Sequence, residues 1–286
     1  MTSPPRRFLP YGRQQIGDDD IAAVTDVLRG DTLTTGPKVA DFEAALGQVT
    51  GASHGVACSS GTAALHLAAM ALNLGPGDKV VVPALTFLTT ANVVRMTGAE
   101  VVFADVDPVT GLMGGKELSA ALSQKGSGQV KAVFSVHYAG QCAAPDELAA
   151  VARGLPVVAD SCHALGTAYG SDGKVGDCRH AVMETFSFHP VKTIAAGEGG
   201  AVTTNDGVLA QRLRRLRNHG MTRDADAFVR NDLARDGDGD TNPWYYEMAE
   251  LGLNYRLSDI HCALGLSQLG KLDTFCATRR ALAARY

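Results

Sequence analysis

The chain has 286 residues, 45% of them hydrophobic and 20% charged, enough for one large domain with a substantial core. Its formal net charge of -4 supplies no basic field to recruit nucleic acid or an anionic membrane surface. No apolar run approaches the ~20 residues that span a bilayer, and residues 1–8 carry charge without an apolar stretch behind them, so neither a membrane anchor nor a signal peptide is expected.

From about residue 50 to residue 218 the pattern alternates. An apolar stretch ending at Cys58 runs into Ser59-Ser60-Gly61-Thr62-Ala63-Ala64, a strand-to-helix turn. The stripe Ala64, Leu65, Leu67, Ala68 and Leu72 continues as a helix to the stop cluster Gly75-Pro76-Gly77-Asp78. A strand over 79–83, a helix over 89–97 and a strand over 100–104 follow. A helix over 116–123, a strand over 130–136, a helix over 146–153 and a strand over 155–159 complete the series. These strands are continuously apolar, which indicates burial on both faces. Strand–helix–strand repetition of this kind predicts an α/β fold with a three-layer αβα sandwich and a mainly parallel sheet. Residues 223–243, rich in aspartate and including Gly237 and Gly239, read as an exposed acidic loop; a calcium loop would need tighter ligand spacing. Leu264, Leu266, Leu269, Leu272 and Phe275 have helical spacing and predict one helix continuing through residue 286. The division expected is 1–256 as the major domain and 257–286 as a helix leading to a small C-terminal domain, largely absent.

Ligands in such sheets collect outside the carboxyl ends of the strands. Ser60-Gly61-Thr62, Phe87, Asp160 to His163 and Lys192 all follow apolar strand candidates, so one shared site is expected. Lys192 sits in Phe186-Ser187-Phe188-His189-Pro190-Val191-Lys192, just before Ala196-Gly197-Glu198-Gly199-Gly200. A desolvated amine, a strand-end aspartate and a small-residue helix start are the three parts of a pyridoxal 5'-phosphate site. The amine forms an imine with the aldehyde, the carboxylate pairs with the pyridine nitrogen, and the helix start holds the phosphate.

Each part also has a plainer reading. Ser60 and Thr62 are ordinary helix caps, Asp160 suits a strand-end turn, and Phe87 suits a core as well as a ring-stacking site. His163 either orients the cofactor ring or its phenolic oxygen, or is a satisfied structural histidine. The six cysteines (58, 142, 162, 178, 262 and 276) form no C-x-x-C pair or metal-spaced cluster. They are expected to pack as small hydrophobes in a reduced, cytoplasmic protein, with no metal site. Cys162, beside the proposed site, is expected below the cofactor rather than as a catalytic thiol.

With these segments in view, the chain resembles the DegT/DnrJ-type nucleotide-sugar aminotransferases, which adopt the fold of fold type I pyridoxal phosphate enzymes. The resemblance rests on Tyr11-Gly12-Arg13-Gln14, Leu33-Thr34-Thr35-Gly36-Pro37, Ser60 to Leu65, Phe103-Ala104-Asp105-Val106-Asp107, Asp160-Ser161-Cys162-His163-Ala164, the Lys192 segment and Leu253-Asn254-Tyr255-Arg256-Leu257-Ser258-Asp259-Ile260. It implies Lys192 as the imine-forming and proton-transferring lysine, Asp160 as the pyridinium partner with His163 beside it, and Phe87 as the stacking residue. Gly61, Thr62, Ala63 and Ser187 fall at phosphate positions. Asn254 matches an asparagine that reaches the neighbouring subunit's phosphate, so a homodimer with shared sites is implied. Tyr11, Leu33, Thr34, Thr35, Gly36, Ser60 and His189 fall where the family meets the sugar nucleotide.

His137-Tyr138-Ala139-Gly140-Gln141 and Trp244-Tyr245-Tyr246-Glu247-Met248 are similar to one branch. Its members aminate a UDP-linked 4-keto-6-deoxy-N-acetylhexosamine on the way to pseudaminic acid, with an amino acid, glutamate by resemblance, as donor in a ping-pong scheme. Ser161-Cys162 departs from the small pair expected there. A sugar dehydratase of the same fold would carry histidine in place of Lys192. A nicotinamide-binding protein would need G-x-G-x-x-G where Ser59-Ser60-Gly61-Thr62 stands. A non-catalytic binding relative remains as the alternative from another class, and the intact Lys192 and Asp160 pair argues against it.

Overall fold

The computed structural model describes residues 8, 10–124, 130–170 and 173–286; residues 1–7, in the charged N-terminal stretch, lie outside that set. In chain order the strands are β1 (His54–Cys58), β2 (Lys79–Pro83), β3 (Glu100–Ala104), β4 (Val130–Val136), β5 (Val157–Asp160), β6 (Ala168–Tyr169), β7 (Gly173–Lys174), β8 (Met183–Ser187), β9 (Gly200–Thr204), β10 (Met221–Thr222) and β11 (Glu247–Met248). The helices are α1 (Asp18–Arg29), α2 (Pro37–Thr50), α3 (Gly61–Ala71), α4 (Thr89–Met96), α5 (Gly115–Leu122), α6 (Pro145–Ala152), α7 (Gly207–Leu216), α8 (Asn231–Ala234), α9 (Asp259–Leu269) and α10 (Leu272–Ala283).

Seven strands form the central sheet in the order β1-β9-β8-β5-β4-β2-β3. Every ladder from β3 through β8 is parallel, and only β9 runs against both of its neighbours. The mainly parallel α/β architecture expected from the continuously apolar strands is therefore present. Alternate residues of each strand serve opposite faces. Val80, Val82, Phe134 and Val158 pack under α3, α4 and α7 with Leu65, Val94 and Leu213. Val81, Val133 and Val157 pack on the other face with Leu118 of α5 and Leu148 of α6. On that second face, Ala57, Phe186 and Ala201 meet Phe42 of α2 and Cys262 and Leu269 of α9.

Two expectations change. The strand over 155–159 begins at Val157 and ends on Asp160. Pro156 has no N–H for the ladder and contributes only its carbonyl, to Val133 N. The single C-terminal helix is instead two, broken between Leu269 and Leu272 at Gly270, a poor helix former. The break lets the Lys271 ammonium reach both Asp19 and the fully buried Asp20 of α1, each at 2.8 Å. The acidic stretch stays exposed, with aspartates such as Asp224 and Asp236 bonded to their own loop's amides.

Candidate active site

The carboxyl ends of β1, β2, β4, β5 and β8 open into one cavity of about 570 Å³, within the ~300–1,000 Å³ typical of ligand pockets. Lys192, Asp160, His163, Gly61, Thr62, Phe87, Ser187, Tyr11, Ser60 and His189 all line it. This is the crevice where an open α/β sheet collects ligands.

Asp160 is the last residue of β5 and only 7% exposed. Its Oδ2 accepts a hydrogen bond from Thr90 Oγ1 at 2.9 Å, and its Oδ1 accepts one from the Cys162 amide at 3.2 Å. Thr90 is fully buried in the first turn of α4 and lies 2.9 Å from the hydroxyl of Thr86.

Lys192 sits half-buried in the turn after β8, where its amide donates to the His189 carbonyl. Its positive charge is felt across the cavity. The His163 pKa is lowered, first by burial and then by Lys192, with Asp160 opposing. His163 Nδ1 accepts from the Ala139 amide at 3.3 Å, which leaves the proton of the neutral ring on Nε2.

Also on the cavity, Ser60 caps α3: its Oγ accepts from the Ala63 amide at 3.1 Å. The plain capping role is thus filled, and Ala63, whose amide is spent on that cap, does not line the cavity. Thr62 Oγ1 lies 3.4 Å from Thr89 Oγ1. Gly61 meets the end of β8 closely: a Cβ there would stand 2.8 Å from Ser187 Cβ and 3.2 Å from Cys162 Sγ. Glycine therefore lets the amino end of α3 lie directly against the end of β8, with Thr62 and Ser187 both on the cavity wall. Cys162 packs beside Gly61, and burial pushes its thiol pKa well up, which fits a small packing residue rather than a nucleophile.

Behind the cavity runs a buried polar chain. His137 Nδ1 accepts from the Ala143 amide at 3.0 Å, so its other nitrogen carries the proton toward Tyr169 Oη at 2.9 Å. Tyr169 Oη donates to Glu184 Oε2, which also accepts from Ser161 Oγ and the Gly176 amide. Burial lowers the His137 pKa to about 4 and raises that of Glu184 to about 7. Thr86, Thr90, His137 and Glu184 were not assigned site roles from sequence. The i,i+4 spacing of Thr86 and Thr90 just past a strand was the available signal.

Five expected residues lie elsewhere in this chain. Thr34 bridges to Ser258, and the Gly36 amide donates to the buried carboxylate of Asp259 at 2.8 Å. Asn254, which is exposed, bridges to Asn218. Thr35, Gly36 and Asn218 share a separate hollow of about 280 Å³ with Arg217 and Arg256. Leu33 is exposed beside them, its carbonyl accepting from the Asp259 amide.

The residues lining the main cavity fit pyridoxal phosphate. A carboxylate at a strand end, an amine on the same cavity, an exposed aromatic at Phe87 (65% exposed) and a helix start that opens with glycine on the cavity wall are the four features that cofactor requires.

The model of the DegT/DnrJ/EryC1/StrS aminotransferase family matches residues 14–286. Among solved structures, Spr1654 of Streptococcus pneumoniae, assigned as a sugar aminotransferase and solved in its PMP form, is 29% identical with a TM-score of 0.85 over 98% of this chain and 71% of its own. Helicobacter pylori PseC, an aminotransferase of pseudaminic acid biosynthesis, is 30% identical with a TM-score of 0.78 over 93% of this chain and 66% of its own. DesV of S. venezuelae is 31% identical with a TM-score of 0.79, over 93% and 65% respectively. The chain belongs to the DegT/DnrJ/EryC1/StrS aminotransferase family, and it is a pyridoxal phosphate-dependent sugar aminotransferase of the fold type I architecture.

Proposed function

We propose that this enzyme moves an amino group from an amino acid, glutamate by resemblance, to the 4-keto carbon of a UDP-linked 6-deoxy-N-acetylhexosamine, in pseudaminic acid or related surface-sugar biosynthesis. The observation that carries this reading is that Lys192, Asp160 and the Gly61 start of α3 line one cavity. When bound, pyridoxal phosphate supplies an aldehyde carbon and an electron-withdrawing ring. The Nζ of Lys192, which lines the cavity, would be the base that accepts a proton from the amino donor's Cα and gives it back in the reverse direction toward the sugar. Asp160 would pair with the cofactor's ring nitrogen and keep it protonated. Phe87 would offer its exposed ring to the cofactor for stacking, and His163, whose Nε2 proton is not committed to the Ala139 amide, would supply a donor. Thr62, Ser187 and the Gly61 and Thr62 amides at the start of α3 would hold the phosphate. Tyr11, Ser60 and His189 meet the sugar nucleotide at the cavity mouth.

Asn254 and residues 33–36 lie outside this chain's own cavity, which supports a homodimer in which they complete the partner's site. Exposed apolar residues such as Leu88, Trp244 and Leu251 suit that interface. Among the described residues no helix is long and apolar enough to cross a membrane, and we place the enzyme in the cytoplasm.

The substrate is tested by incubating the enzyme with glutamate and a panel of nucleotide-linked keto sugars, then identifying the aminated carbon by NMR. Amination at C4 of the UDP-linked N-acetylated sugar is expected. Turnover confined to a keto sugar on another nucleotide would move the enzyme to a different branch of the family.

A further inference from the structure

We propose that Thr90 is a positioning residue for Asp160, fixing the plane in which the carboxylate meets the cofactor's ring nitrogen. The terminal torsion of an aspartate is broad and two-fold, so the backbone alone does not orient its oxygens. Here each oxygen has its own donor: the Cys162 amide on Oδ1 and Thr90 Oγ1 on Oδ2. The two donors come from separate parts of the fold, one from the loop after β5 and one from α4, so together they set both the plane and the tilt.

Thr90 is itself held. It has a single hydroxyl proton, which goes to Asp160, and the neighbouring Thr86 hydroxyl at 2.9 Å is placed to donate to its oxygen. Thr86 lines the cavity while Thr90 is fully buried, so the relay runs from the cavity wall to the carboxylate. Thr90 is buried on the same helix as Val93 and Val94, and valine has the shape of threonine without its hydroxyl. A valine would fill the space, yet it would leave a buried carboxylate oxygen short of its donor.

The inference rests on Asp160 as the ring-nitrogen partner, so the test is a double-mutant cycle read as pyridoxal phosphate affinity of the cofactor-free protein, measured by fluorescence titration. Thr90→Val is expected to weaken affinity about tenfold, and Thr90→Ser, which keeps the donor, to stay within about threefold of the native protein. In an Asp160→Ala background, Thr90→Val is expected to change affinity no further. An equal tenfold loss in both backgrounds would overturn the positioning role, as would undiminished affinity in Thr90→Val. If Asp160→Ala itself leaves affinity unchanged, the assignment of Asp160 fails instead. Should Thr90→Val not fold, Thr90→Ala removes the same hydroxyl and is read in the same cycle.

Discussion

The carbonyl oxygen of Lys192 accepts a hydrogen bond of 2.8 Å from the guanidinium of Arg279, 87 residues later on α10. The same helix reaches the loop after β5, where Arg280 Nη2 donates to the Gly166 carbonyl at 3.3 Å. On α9, Gln268 Oε1 accepts from the Ala195 amide while its Nε2 donates to Gln15 O and Asp20. The segment carrying the reactive amine is thus tied down from the C-terminal helices, not only by its own turn.

Arg279→Gln is expected to slow the first half-reaction about threefold, while lowering the stability of the cofactor-free protein by less than ~0.5 kcal/mol, since the bond is exposed. Stopped-flow absorbance with glutamate and urea denaturation measure the two effects separately. A large stability loss with an unchanged rate would mean that Arg279 only braces the helix.

Gly200 opens β9 directly behind the start of α3, where a Cβ would stand 2.2 Å from the Ser60 carbonyl oxygen. Gly200→Ala is expected to cost about 2 kcal/mol in urea denaturation, with weakened cofactor binding because the Ser60-Gly61 turn must shift. Gly237, with open space around it, is the control position, and Gly237→Ala should match the native protein.

His137 is buried neutral, its pKa lowered from 6.5 to about 4 by burial. A depressed folded-state pKa contributes stability that is present above 6.5 and lost as pH falls toward 4. Glu184 beside it acts in the opposite sense: its pKa is raised from 4.5 to about 7, so its contribution is present below 4.5 and lost as pH rises through 7. His137→Gln is expected to be destabilised at pH 7, and the gap to the native protein should narrow by roughly 3 kcal/mol between pH 6.5 and 4. Urea midpoints across that range provide the check; a gap independent of pH would contradict a neutral buried His137.

If Asn254 completes the partner's site, a mixture of Lys192→Ala and Asn254→Ala chains contains hybrid dimers with one site free of both changes. After co-refolding, activity is expected to recover to about a quarter of native, well above either parent. No recovery would place Asn254 in service of its own chain or outside the site.

Much of this was legible in the sequence, for identifiable reasons. Strands buried on both faces must be continuously apolar, so the central β2 to β5 segment could be bounded closely from its valines. Lys192, Asp160 and Gly61 stood out because each lies at or within a few residues of the end of an apolar stretch. The antiparallel β9 was not legible: Gly200-Ala201-Val202-Thr203-Thr204 has no marker of direction, which is set by its short connection from β8 around the Lys192 loop. Thr90 and His137 were missed because a hydroxyl or imidazole shows its role only once a partner 70 or 32 residues distant is placed against it. The C-terminal helix was read through Gly270 because leucine spacing persists across the break, while the Lys271 pairing with α1 that rewards the bend is non-local.

The most direct test of the central claim is the visible absorbance of the purified protein with pyridoxal phosphate, recorded before and after glutamate, beside Lys192→Ala. A yellow band of lysine-bound cofactor that bleaches with glutamate, and is absent or displaced in Lys192→Ala, is the predicted result. A protein that stays colourless with added pyridoxal phosphate, or a Lys192→Ala variant with the native spectrum and response, would contradict it.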